Sequence, residues 1–461
     1  MPTKPAKVQS QPVDNGTEGL GGWERSHYSS QVTSGMNGKS VMMMGWARAI
    51  RGGEKIAFIQ LADREGSVQI TAKPDTVAPE VMQKLLTLNR EDVLAVSGTV
   101  KAAKEAPGGF EIIPREIRIL SRAEPGLPIE VVTKKAPAEF STRLDSRFID
   151  LRKPEVAAIF KVKDAVTTAV RNYLEGDGFI EIHTPKIISE ASEGGSEVFK
   201  VKYFDREAYL AQSPQFYKQM MMATGFDRVY EIAPVFRAEK SHTTRHVTEI
   251  LMLDMEMAFI NSLEDVLKTM ENMMRSVCEF VVANEAPALK ALGKTVLVPT
   301  VPFPRITMEE AKKMLATRGM KYRPEDELDD AGEKAMGEIA LEKYGSEFVF
   351  ITEFPWAGAK FYHMKDPKNS KIAFRADLLY HGVEIATLPQ REHRYDVLLK
   401  QVKEQGVTPE KIKFYLDAFR YGMPPHGGCG VGIERIVQKM LGLSNVQEAI
   451  LFPRTEERLT P

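Results

Sequence analysis

Cysteine is almost absent from this sequence. Cys278 and Cys429 are the only two cysteines in 461 residues, and they lie far apart in the chain. A disulfide framework and a metal site built on paired cysteines are therefore both excluded. Because a reducing compartment suits such a chain, we predict a cytoplasmic location.

The sequence also lacks any hydrophobic run that approaches the roughly 18 residues of a membrane-spanning helix. Its N-terminus has no apolar core of a signal peptide, and we expect no membrane partner. An excess of charge of either sign is missing too, since 62 lysines and arginines face 63 aspartates and glutamates. With no net charge to attract nucleic acid, any site for a polyanion must be local.

A chain of this length with 43% hydrophobic residues is too long for a single core. Residues 1–26 are predicted to be a disordered tail, because the first 22 contain no aromatic residue and little apolar surface. Residues 27–122 are predicted to form a small barrel domain. Residues 123–150 form a linker or hinge rich in proline and charge, and residues 151–461 form the second domain.

Short runs of β-forming residues lie between turn signals in the first of these domains: SVMMMGWARAI, KIAFIQLAD, SVQITA, VLAVSGTV and FEIIPREIRIL. One amphipathic stretch, VAPEVMQKLLTL, interrupts them. This pattern predicts a five-stranded Greek-key barrel, of which the OB-fold is the commonest kind. Barrels of this shape bind nucleic acid in some proteins and no ligand in others, and the pattern leaves both open.

The second domain mixes helices and strands without a regular βαβ alternation. We therefore predict an α+β fold, with helices flanking an antiparallel sheet. An amphipathic helix near its start has apolar residues at helical spacing. These are Ile159, Val162, Val166, Val170 and Leu174.

The stretch FRAEKSHTTRHVTE, residues 236–249, carries Arg237, Arg245 and His246 between two strand-like segments. An arginine fixed at the end of a strand presents a bidentate fork to a phosphate, and further cations on the loop can close over the outer phosphates. A nucleotide site is one interpretation. The other is a solvated hairpin with surface ion pairs.

The stretch GGCGVGIERIVQKM, residues 427–440, is rich in glycine, which permits close approach of the backbone. A helix is predicted to begin near Ile433, with Arg435 in its first turn. The segment is neither a dinucleotide fingerprint nor a phosphate loop, since no βαβ unit and no lysine-serine pair accompany it. Because a cation is disfavoured at a helix N-terminus, Arg435 is better explained if it faces an anion or a base.

Asp377 and Glu384 lie seven positions apart in RADLLYHGVEIATLPQREHRYD. On one continuous strand they would face opposite sides, unless His381 and Gly382 form a turn. Two carboxylates that converge near phosphates can hold Mg²⁺. Otherwise they are two unrelated acids.

Together these segments resemble the class II aminoacyl-tRNA synthetases, and within them the aspartyl-tRNA synthetases of the compact archaeal and eukaryotic type. FIEIHTPKI resembles the dimer-forming motif 1, FRAE with TTRH resembles motif 2, and GCGVGIERIVQKMLGLSNVQEAILFPR resembles motif 3. QSPQFYKQ is similar to a signature of the aspartyl and asparaginyl group. The resemblance covers residues 27–461, nearly the whole chain.

The resemblance implies ATP and Mg²⁺ as cofactors, L-aspartate and tRNA(Asp) as substrates, an OB-fold that binds the anticodon, and a homodimer through the region around Pro185. Implied ATP contacts are Arg237, Glu239, Arg245, His246, Val247, Glu384, Gly432, Ile433, Glu434 and Arg435. Implied amino-acid contacts are Glu193, Gln215, Lys218, Arg237, Thr387 and Arg391. Implied metal ligands are Asp377, Glu384 and Thr387, and implied anticodon contacts are Arg51, Phe58 and Gln69.

Two of these roles carry the expected chemistry. Arg237 would hold both the α-phosphate of ATP and the carboxylate that attacks it, which makes it the implied catalytic residue. Lys218 and Arg391 would pair with the side-chain carboxylate of aspartate. A neutral asparagine would then leave two buried cations uncompensated.

Some positions depart from the family pattern. Ile250 stands where an aromatic residue is common, and Leu388-Pro389 replaces small residues before the specificity arginine. Arg48 and Pro107 stand where relatives that are strict for tRNA(Asp) often carry tryptophan and lysine. This favours an enzyme that charges tRNA(Asn) as well.

Three other functions are open to a chain of this sequence. An asparagine synthetase-like enzyme is one, although such relatives usually lack the barrel. An asparaginyl-specific ligase is another, which Lys218 and Arg391 disfavour. The third is a catalytically silent tRNA-binding protein, which requires that the departures have closed the pocket.

Overall fold

The computed structural model describes residues 16–132, 138–191, 197–239 and 244–461. The chain divides into two compact units between Pro154 and Glu155. Among the described residues, every helix is too short or too polar to span a lipid bilayer.

The first unit contains a closed five-stranded barrel, with strands in the order β1-β2-β3-β5-β4. Its elements are β1 (Ser40–Gly53), β2 (Ile56–Asp63), β3 (Gly66–Ala72), α1 (Pro79–Leu86), β4 (Val93–Ala102) and β5 (Phe110–Ser121). Alternate side chains fill the barrel, so that Ala57, Ile59 and Leu61 of β2 are at most 3% exposed. All six elements lie where the sequence places them, and the predicted OB-fold is confirmed.

A buried ion-pair network closes one side of this unit. The Glu91 carboxylate is 2% exposed and accepts hydrogen bonds from Arg48 Nε and Arg152 Nη1, each at 2.9 Å. Arg48 Nη1 also donates to the Arg152 carbonyl oxygen at 2.7 Å. The Arg152 guanidinium lies 5.3 Å from the centroid of the Trp46 ring. Residues 104 positions apart are thereby held together.

Part of the predicted tail contacts the barrel. Glu18 pairs with Lys84 at 2.8 Å, and the Arg118 guanidinium stacks on the Trp23 ring at 4.0 Å. Arg118 Nη1 also donates to the Leu20 carbonyl at 2.6 Å, so that several contacts hold residues 16–26 against the barrel. Residues 1–15 lie outside the described part of the chain.

The predicted linker also contains structure, namely α2 (Phe140–Asp145) and α3 (Arg147–Asp150). Ile129, Val131 and Ile149 form a small buried cluster there, each at most 7% exposed. The proline and charge content indicated a hinge, but these three apolar residues give the segment a core of its own. Residues 133–137 lie outside the described part.

The second unit is built on an eight-stranded sheet and a smaller three-stranded sheet. Its strands are β6 (Ile180–Glu181), β7 (Ile187–Ile188), β8 (Lys200–Tyr203), β9 (Arg206–Leu210), β10 (Arg228–Phe236), β11 (Glu249–Ala258), β12 (Arg305–Thr307), β13 (Phe348–Pro355), β14 (Ile372–Tyr380), β15 (Val383–Pro389) and β16 (His426–Gly432). Its helices are α4 (Pro154–Gly176), α5 (Gln215–Met221), α6 (Leu263–Asn284), α7 (Ala286–Leu292), α8 (Met308–Ala316), α9 (Asp330–Tyr344), α10 (Tyr395–Glu404), α11 (Lys413–Arg420) and α12 (Ile433–Leu441).

The large sheet has the order β12-β13-β14-β15-β16-β11-β10-β6. The pairs β12 with β13 and β10 with β6, at its two ends, are parallel, and the pairs between them are antiparallel. The three central strands β15, β16 and β11 come from distant parts of the chain. This α+β architecture with an antiparallel sheet confirms the predicted fold class.

Helices α4, α6 and α12 cover the sheet through one large apolar core. The five residues that predict α4 from their spacing are each at most 4% exposed. Helix α6 begins after Ser262, which forms a reciprocal capping pair with Asp265. The amphipathic pattern thus determines which face of each helix packs on the sheet. Because these helices cover one face of the sheet, a ligand site can form on the other face.

We expect the substitution Glu91→Gln to destabilise the barrel by about 3 kcal/mol, because it removes the buried carboxylate that pairs with Arg48 and Arg152. Denaturant-dependent hydrogen exchange of β1 and β4 amides measures this in the full chain. The matched control is Glu130→Gln, whose partner Arg90 forms an ion pair in which both side chains are at least 40% exposed. That change should cost below about 1 kcal/mol, and equal losses in both variants would contradict the prediction.

Candidate active site

A cleft on the large sheet brings most of the predicted site residues together. It encloses about 1110 Å³ of space between atoms, part of it open to solvent. Its walls come from α5, β11, β14, β15, β16, α12 and the loop between β10 and β11. The predicted residues that line it are Gln215, Lys218, Arg237, Arg245, Val247, Glu384, Thr387, Arg391, Gly432, Glu434 and Arg435.

Arg237 directly follows β10 and is held by the strand pairing, since its amide donates to the Thr248 carbonyl at 2.9 Å. Its Nη1 lies 3.7 Å from Glu239 Oε1, and His246 Nε2 lies 3.6 Å from Glu239 Oε2. Burial lowers the pKa of His246, and the nearby Arg435 acts in the same direction. His246 is therefore neutral near pH 7 and would meet a phosphate as a hydrogen-bond donor.

Arg245 has acidic partners that the sequence did not reveal. Its Nη1 donates to Glu333 Oε2 at 2.8 Å, and it also pairs with Asp330. Both acids lie in the first turn of α9, and Glu333 is 88 positions along the chain from Arg245. An outer phosphate that binds Arg245 would have to displace or share these carboxylates.

The turn that the sequence left open between Asp377 and Glu384 is present. His381 and Gly382 have φ angles of +45° and +67° and form a tight turn between β14 and β15. Asp377 then lies opposite Thr387 in the antiparallel register, and Thr387 Oγ1 donates to Glu384 Oε1 at 2.9 Å. A bulge in this register brings Glu384 to the same face.

Burial and neighbouring charges shift the pKa values of Asp377 and Glu384 in opposite directions. Burial together with the nearby Glu384 raises the pKa of Asp377 to about 7, although Arg375 opposes the change. Burial also disfavours ionisation of Glu384, but Arg435, Arg375 and Arg237 together hold its pKa below the ordinary value. Three arginines from separate segments therefore act on one carboxylate, as a site for a polyanion requires.

Arg375 is a residue that the sequence interpretation missed. Its Nε and Nη2 donate to the two oxygens of Asp377 at 3.1 and 2.7 Å, and its Nη1 donates to Glu327 at 3.0 Å. The sequence contained a signal for this pair, because Arg375 and Asp377 are two positions apart and residues at that spacing on a strand share a face.

The donors at this hairpin fit Mg²⁺. They are two carboxylates and one hydroxyl, all of them oxygen ligands, which hard divalent cations prefer. A divalent cation would also favour the ionised form of Asp377, whose pKa is raised by burial and by the nearby Glu384. Among the described residues, no group of three or more histidine, cysteine or acidic side chains is placed to hold a metal ion. Water and phosphate oxygens would have to complete the coordination.

Lys218 and Arg391 are both 2% exposed, as expected for buried cations. The expectation that only the substrate would compensate their charge is wrong, because each has an acidic partner in the protein. Lys218 Nζ donates to Asp254 Oδ1 and to the Cys429 carbonyl, each at 2.8 Å. Arg391 donates through Nε and Nη2 to the two oxygens of Glu256 at 3.0 and 3.1 Å. The two acids are adjacent inward-facing positions on β11, and they make the cluster formally neutral.

The glycines of β16 are explained by close contact with β11. A Cβ on Gly428 would lie 2.1 Å from the Met255 carbonyl oxygen and 2.4 Å from Glu256 Oε2. A Cβ on Gly430 would lie 2.4 Å from Met252 Cε. The close approach that the glycine pattern predicts is thus made to the neighbouring strand, which keeps Glu256 beside Arg391.

Of the predicted ATP contacts at the start of α12, some line the cleft and one is buried in the core. Arg435 lines the cleft and its Nη1 donates to the Glu384 carbonyl at 3.0 Å. The Glu434 carboxylate accepts from Lys163 Nζ at 2.8 Å and from the Leu251 amide at 3.2 Å. Ile433 is fully buried in the core, so its side chain does not reach the cleft. Glu193, the remaining predicted contact, lies outside the described residues.

The predicted anticodon contacts share one outer face of the barrel. Arg51 on β1 is directly opposite Phe58 on β2, and Gln69 on β3 is opposite Gln60, two positions from Phe58. The alternate residues, such as Ile59, point into the core. An aromatic ring between a cation and an amide is a surface on which a nucleic-acid base can stack.

Comparison with known proteins agrees with this geometry. The model of the tRNA synthetases class II (D, K and N) matches residues 139–456. The chain belongs to the class II tRNA synthetases. In this synthetase, residues 41–120 also match the OB-fold nucleic acid binding domain.

Similar proteins cover the synthetase almost from end to end. An aspartate–tRNA(Asp) ligase of Pyrococcus horikoshii is 47% identical over 437 residues, which is 95% of this chain and 100% of the relative. An aspartate–tRNA(Asp/Asn) ligase of Methanothermobacter thermautotrophicus is 45% identical over 442 residues, 96% of this chain and 100% of the relative.

Solved structures agree with the synthetase fold. The asparaginyl-tRNA synthetase from Pyrococcus horikoshii in complex with asparaginyl-adenylate has a TM-score of 0.88 at 32% identity, and covers 95% of this chain and 100% of that one. The aspartyl tRNA synthetase from Entamoeba histolytica has a TM-score of 0.85 at 31% identity, and covers 100% of this chain and 96% of that one.

A pH-dependent stability is expected from His426, which lies behind the cleft. Burial lowers its pKa from 6.5 to about 4, so the fold favours the neutral ring. The corresponding stability, about 3 kcal/mol, is complete above pH 6.5 and is lost as the pH falls towards 4. Urea unfolding of the synthetase at several pH values measures this. Between pH 6.5 and pH 4, the free energy of unfolding should fall by about 3 kcal/mol more for the wild type than for His426→Gln. Parallel curves would contradict the assignment.

Proposed function

We propose that this synthetase activates L-aspartate with ATP and transfers it to tRNA(Asp). The proposal rests on one combined observation. A chain 47% identical to an aspartate–tRNA(Asp) ligase over nearly its whole length buries two cations, Lys218 and Arg391, at the inner end of the cleft. An enzyme that charges tRNA works where charged tRNA is used for translation, and on this ground we propose the cytoplasm.

The preference for aspartate over asparagine follows from hydrogen-bond donors, since charge balance alone does not decide it. Lys218 and Arg391 are donors with no acceptor capacity, and each has N–H groups beyond those directed at Asp254 and Glu256. A carboxylate offers acceptors to both cations. The amide nitrogen of asparagine would place a donor against donors and leave them unsatisfied.

The first step needs no nucleophile from the protein. The α-carboxylate of aspartate attacks the α-phosphorus of ATP, a carbon-linked oxygen–phosphorus bond forms, and the bond to pyrophosphate breaks. Arg237, fixed at the end of β10, would hold both reacting groups and offset the charge that develops on the phosphorus oxygens. Arg245, His246 and Arg435 would bind the remainder of the nucleotide.

In the second step a ribose hydroxyl of the tRNA terminus attacks the carbonyl carbon and AMP leaves. Asp377, Glu384 and Thr387 would hold Mg²⁺, which when bound neutralises phosphate charge. Gln215, at the rim of the amino-acid pocket, would contact the α-ammonium group. The face with Arg51, Phe58 and Gln69 would receive the anticodon.

A homodimer is part of the proposal. Pro185 is exposed beside β6, the last strand of the large sheet, and Ile180 and Ile187 nearby are 45% and 49% exposed. An edge strand flanked by exposed apolar side chains is a surface that association would cover.

Charging of tRNA(Asn) is a second candidate activity. The relatives named aspartate–tRNA(Asp/Asn) ligases are 43–46% identical to this chain. Of the two sequence departures that favour it, Arg48 is buried against Glu91, whereas Pro107 is exposed in the turn before β5. Pro107 is therefore the position that a tRNA could contact.

Aspartate-dependent ATP–pyrophosphate exchange tests the main proposal. We expect exchange with aspartate and none with asparagine, and Arg391→Gln should lower kcat/KM for aspartate by about a hundredfold, the equivalent of about 3 kcal/mol. The control is Arg420→Gln, an exposed arginine on α11, which should leave the rate unchanged.

The other functions predict different results in the same assay. Exchange with asparagine alone identifies an asparaginyl enzyme, and no exchange with either amino acid identifies a silent tRNA-binding protein. Formation of free asparagine from aspartate, ATP and ammonia without tRNA identifies an amide-forming enzyme. Each of these outcomes would overturn the proposal.

Charging of purified tRNA transcripts tests the second candidate. We expect the wild type to charge both tRNA(Asp) and tRNA(Asn). Pro107→Lys should lower charging of tRNA(Asn) while tRNA(Asp) is charged as before, because the substitution adds a cation at an exposed turn of the barrel. Charging of tRNA(Asp) alone by the wild type would limit the enzyme to one tRNA.

A further inference from the structure

A chain of buried hydrogen bonds runs from the amino-acid pocket to the start of β16. Gln215 Nε2 donates to Gln219 Oε1 at 2.6 Å, and Gln219 Nε2 lies 2.9 Å from His426 Nε2. Tyr415 OH donates to the same Gln219 oxygen at 3.0 Å. Gln219, His426 and Tyr415 are fully buried, and Gln215 is 4% exposed. Four side chains from α5, α11 and β16 thus form one network, of which Gln215 lines the cleft.

The direction of every donor in this network is set by one main-chain oxygen. His426 Nδ1 lies 2.8 Å from the Pro424 carbonyl, which can only accept, so Nδ1 carries the proton. The neutral ring then has a lone pair on Nε2, and Gln219 must direct its NH₂ group there. This places the Gln219 oxygen towards Gln215 and Tyr415.

The same logic fixes the last amide of the chain. Because the Gln219 oxygen can only accept, Gln215 must turn its NH₂ group inward. The Gln215 oxygen is then directed away from the network, and it accepts no hydrogen bond from the residues that the structure describes. Gln215 itself lines the cleft.

We propose that Gln219 and His426 are positioning residues that hold the Gln215 carbonyl oxygen towards the pocket, as an acceptor for the α-ammonium group of the amino acid. The proposal rests on the proposed function, which places an amino acid in this cleft. With the opposite amide orientation, Gln215 would present two N–H donors to a cation. Orientation therefore decides between attraction and repulsion at this contact.

The network is well suited to this role because it cannot reorient singly. A buried amide that rotates by half a turn would bring donor against donor at one end and acceptor against acceptor at the other. Three elements of the fold would have to change together. Burial also keeps His426 neutral, and so preserves its accepting nitrogen near pH 7.

The test compares Gln219→Met with the wild type in ATP–pyrophosphate exchange. Without Gln219, the Gln215 oxygen is no longer held towards the α-ammonium group. KM for aspartate should then rise by about tenfold to a hundredfold, the range for a hydrogen bond to a charged group. The KM for ATP should stay the same. Succinate, which is aspartate without the amino group, should inhibit both proteins with equal Ki, because it lacks the group that Gln215 contacts.

Two further variants separate positioning from packing. Gln219→Glu keeps an acceptor for Gln215 and Tyr415, and its second oxygen requires a proton on His426 Nε2 as well. With that ion pair formed, the variant should recover most of the affinity for aspartate. In the double variant with Gln215→Met, the substitution Gln219→Met should add nothing to KM, since it acts only through Gln215. Melting temperatures of all variants show that they are folded.

The outcomes distinguish this inference from the proposed function. If the wild type exchanges with aspartate but Gln219→Met weakens aspartate and succinate equally, or weakens neither, the positioning role is wrong and the function stands. Additive effects in the double variant would also overturn it. If the wild type shows no aspartate-dependent exchange, both proposals fall.

Discussion

The close pairing of β16 with β11 is the contact on which the site depends. Glycine at 428 and 430 leaves room that a Cβ would fill, since it would lie within 2.4 Å of atoms on β11. The Glu256 carboxylate and the Met252 methyl group occupy this space, and Asp254 and Glu256 meet Lys218 and Arg391 beside it. Glycines at successive positions on one face of β16 therefore permit a buried layer of four charges between the sheet and the cleft.

Charge in the cleft is arranged by depth. At the inner end, two cations and two acids balance each other, and the cations keep further N–H donors. Nearer the opening, Arg237, Arg375 and Arg435 outweigh the local acids enough to hold the pKa of Glu384 below its ordinary value. A zwitterionic amino acid with a carboxylate side chain suits the first region, and a triphosphate suits the second. The hairpin acids lie where the two regions meet.

Local patterns predicted the elements well because their causes are local. The spacing of five apolar residues gave α4, and runs of β-forming residues between turn signals gave the five strands of the barrel. The turn at His381 and Gly382 could be stated only as the condition under which Asp377 and Glu384 would face the same side. Its φ angles are allowed to glycine and cost a histidine some strain, so the sequence indicated that possibility without deciding it.

The sequence by itself determined the fold class, the motifs and the residue types at the site, because helix periodicity, strand alternation and motif spacing depend on near neighbours. Only the tertiary structure decided the partners: Asp254 and Glu256 for Lys218 and Arg391, Glu333 for Arg245, and Gln219 with His426 for Gln215. Most of these pairs join residues that are far apart in sequence, and in the others the direction of a buried amide depends on a distant strand. Which donor faces which acceptor is fixed by strand order and register, and no local pattern of residues encodes either.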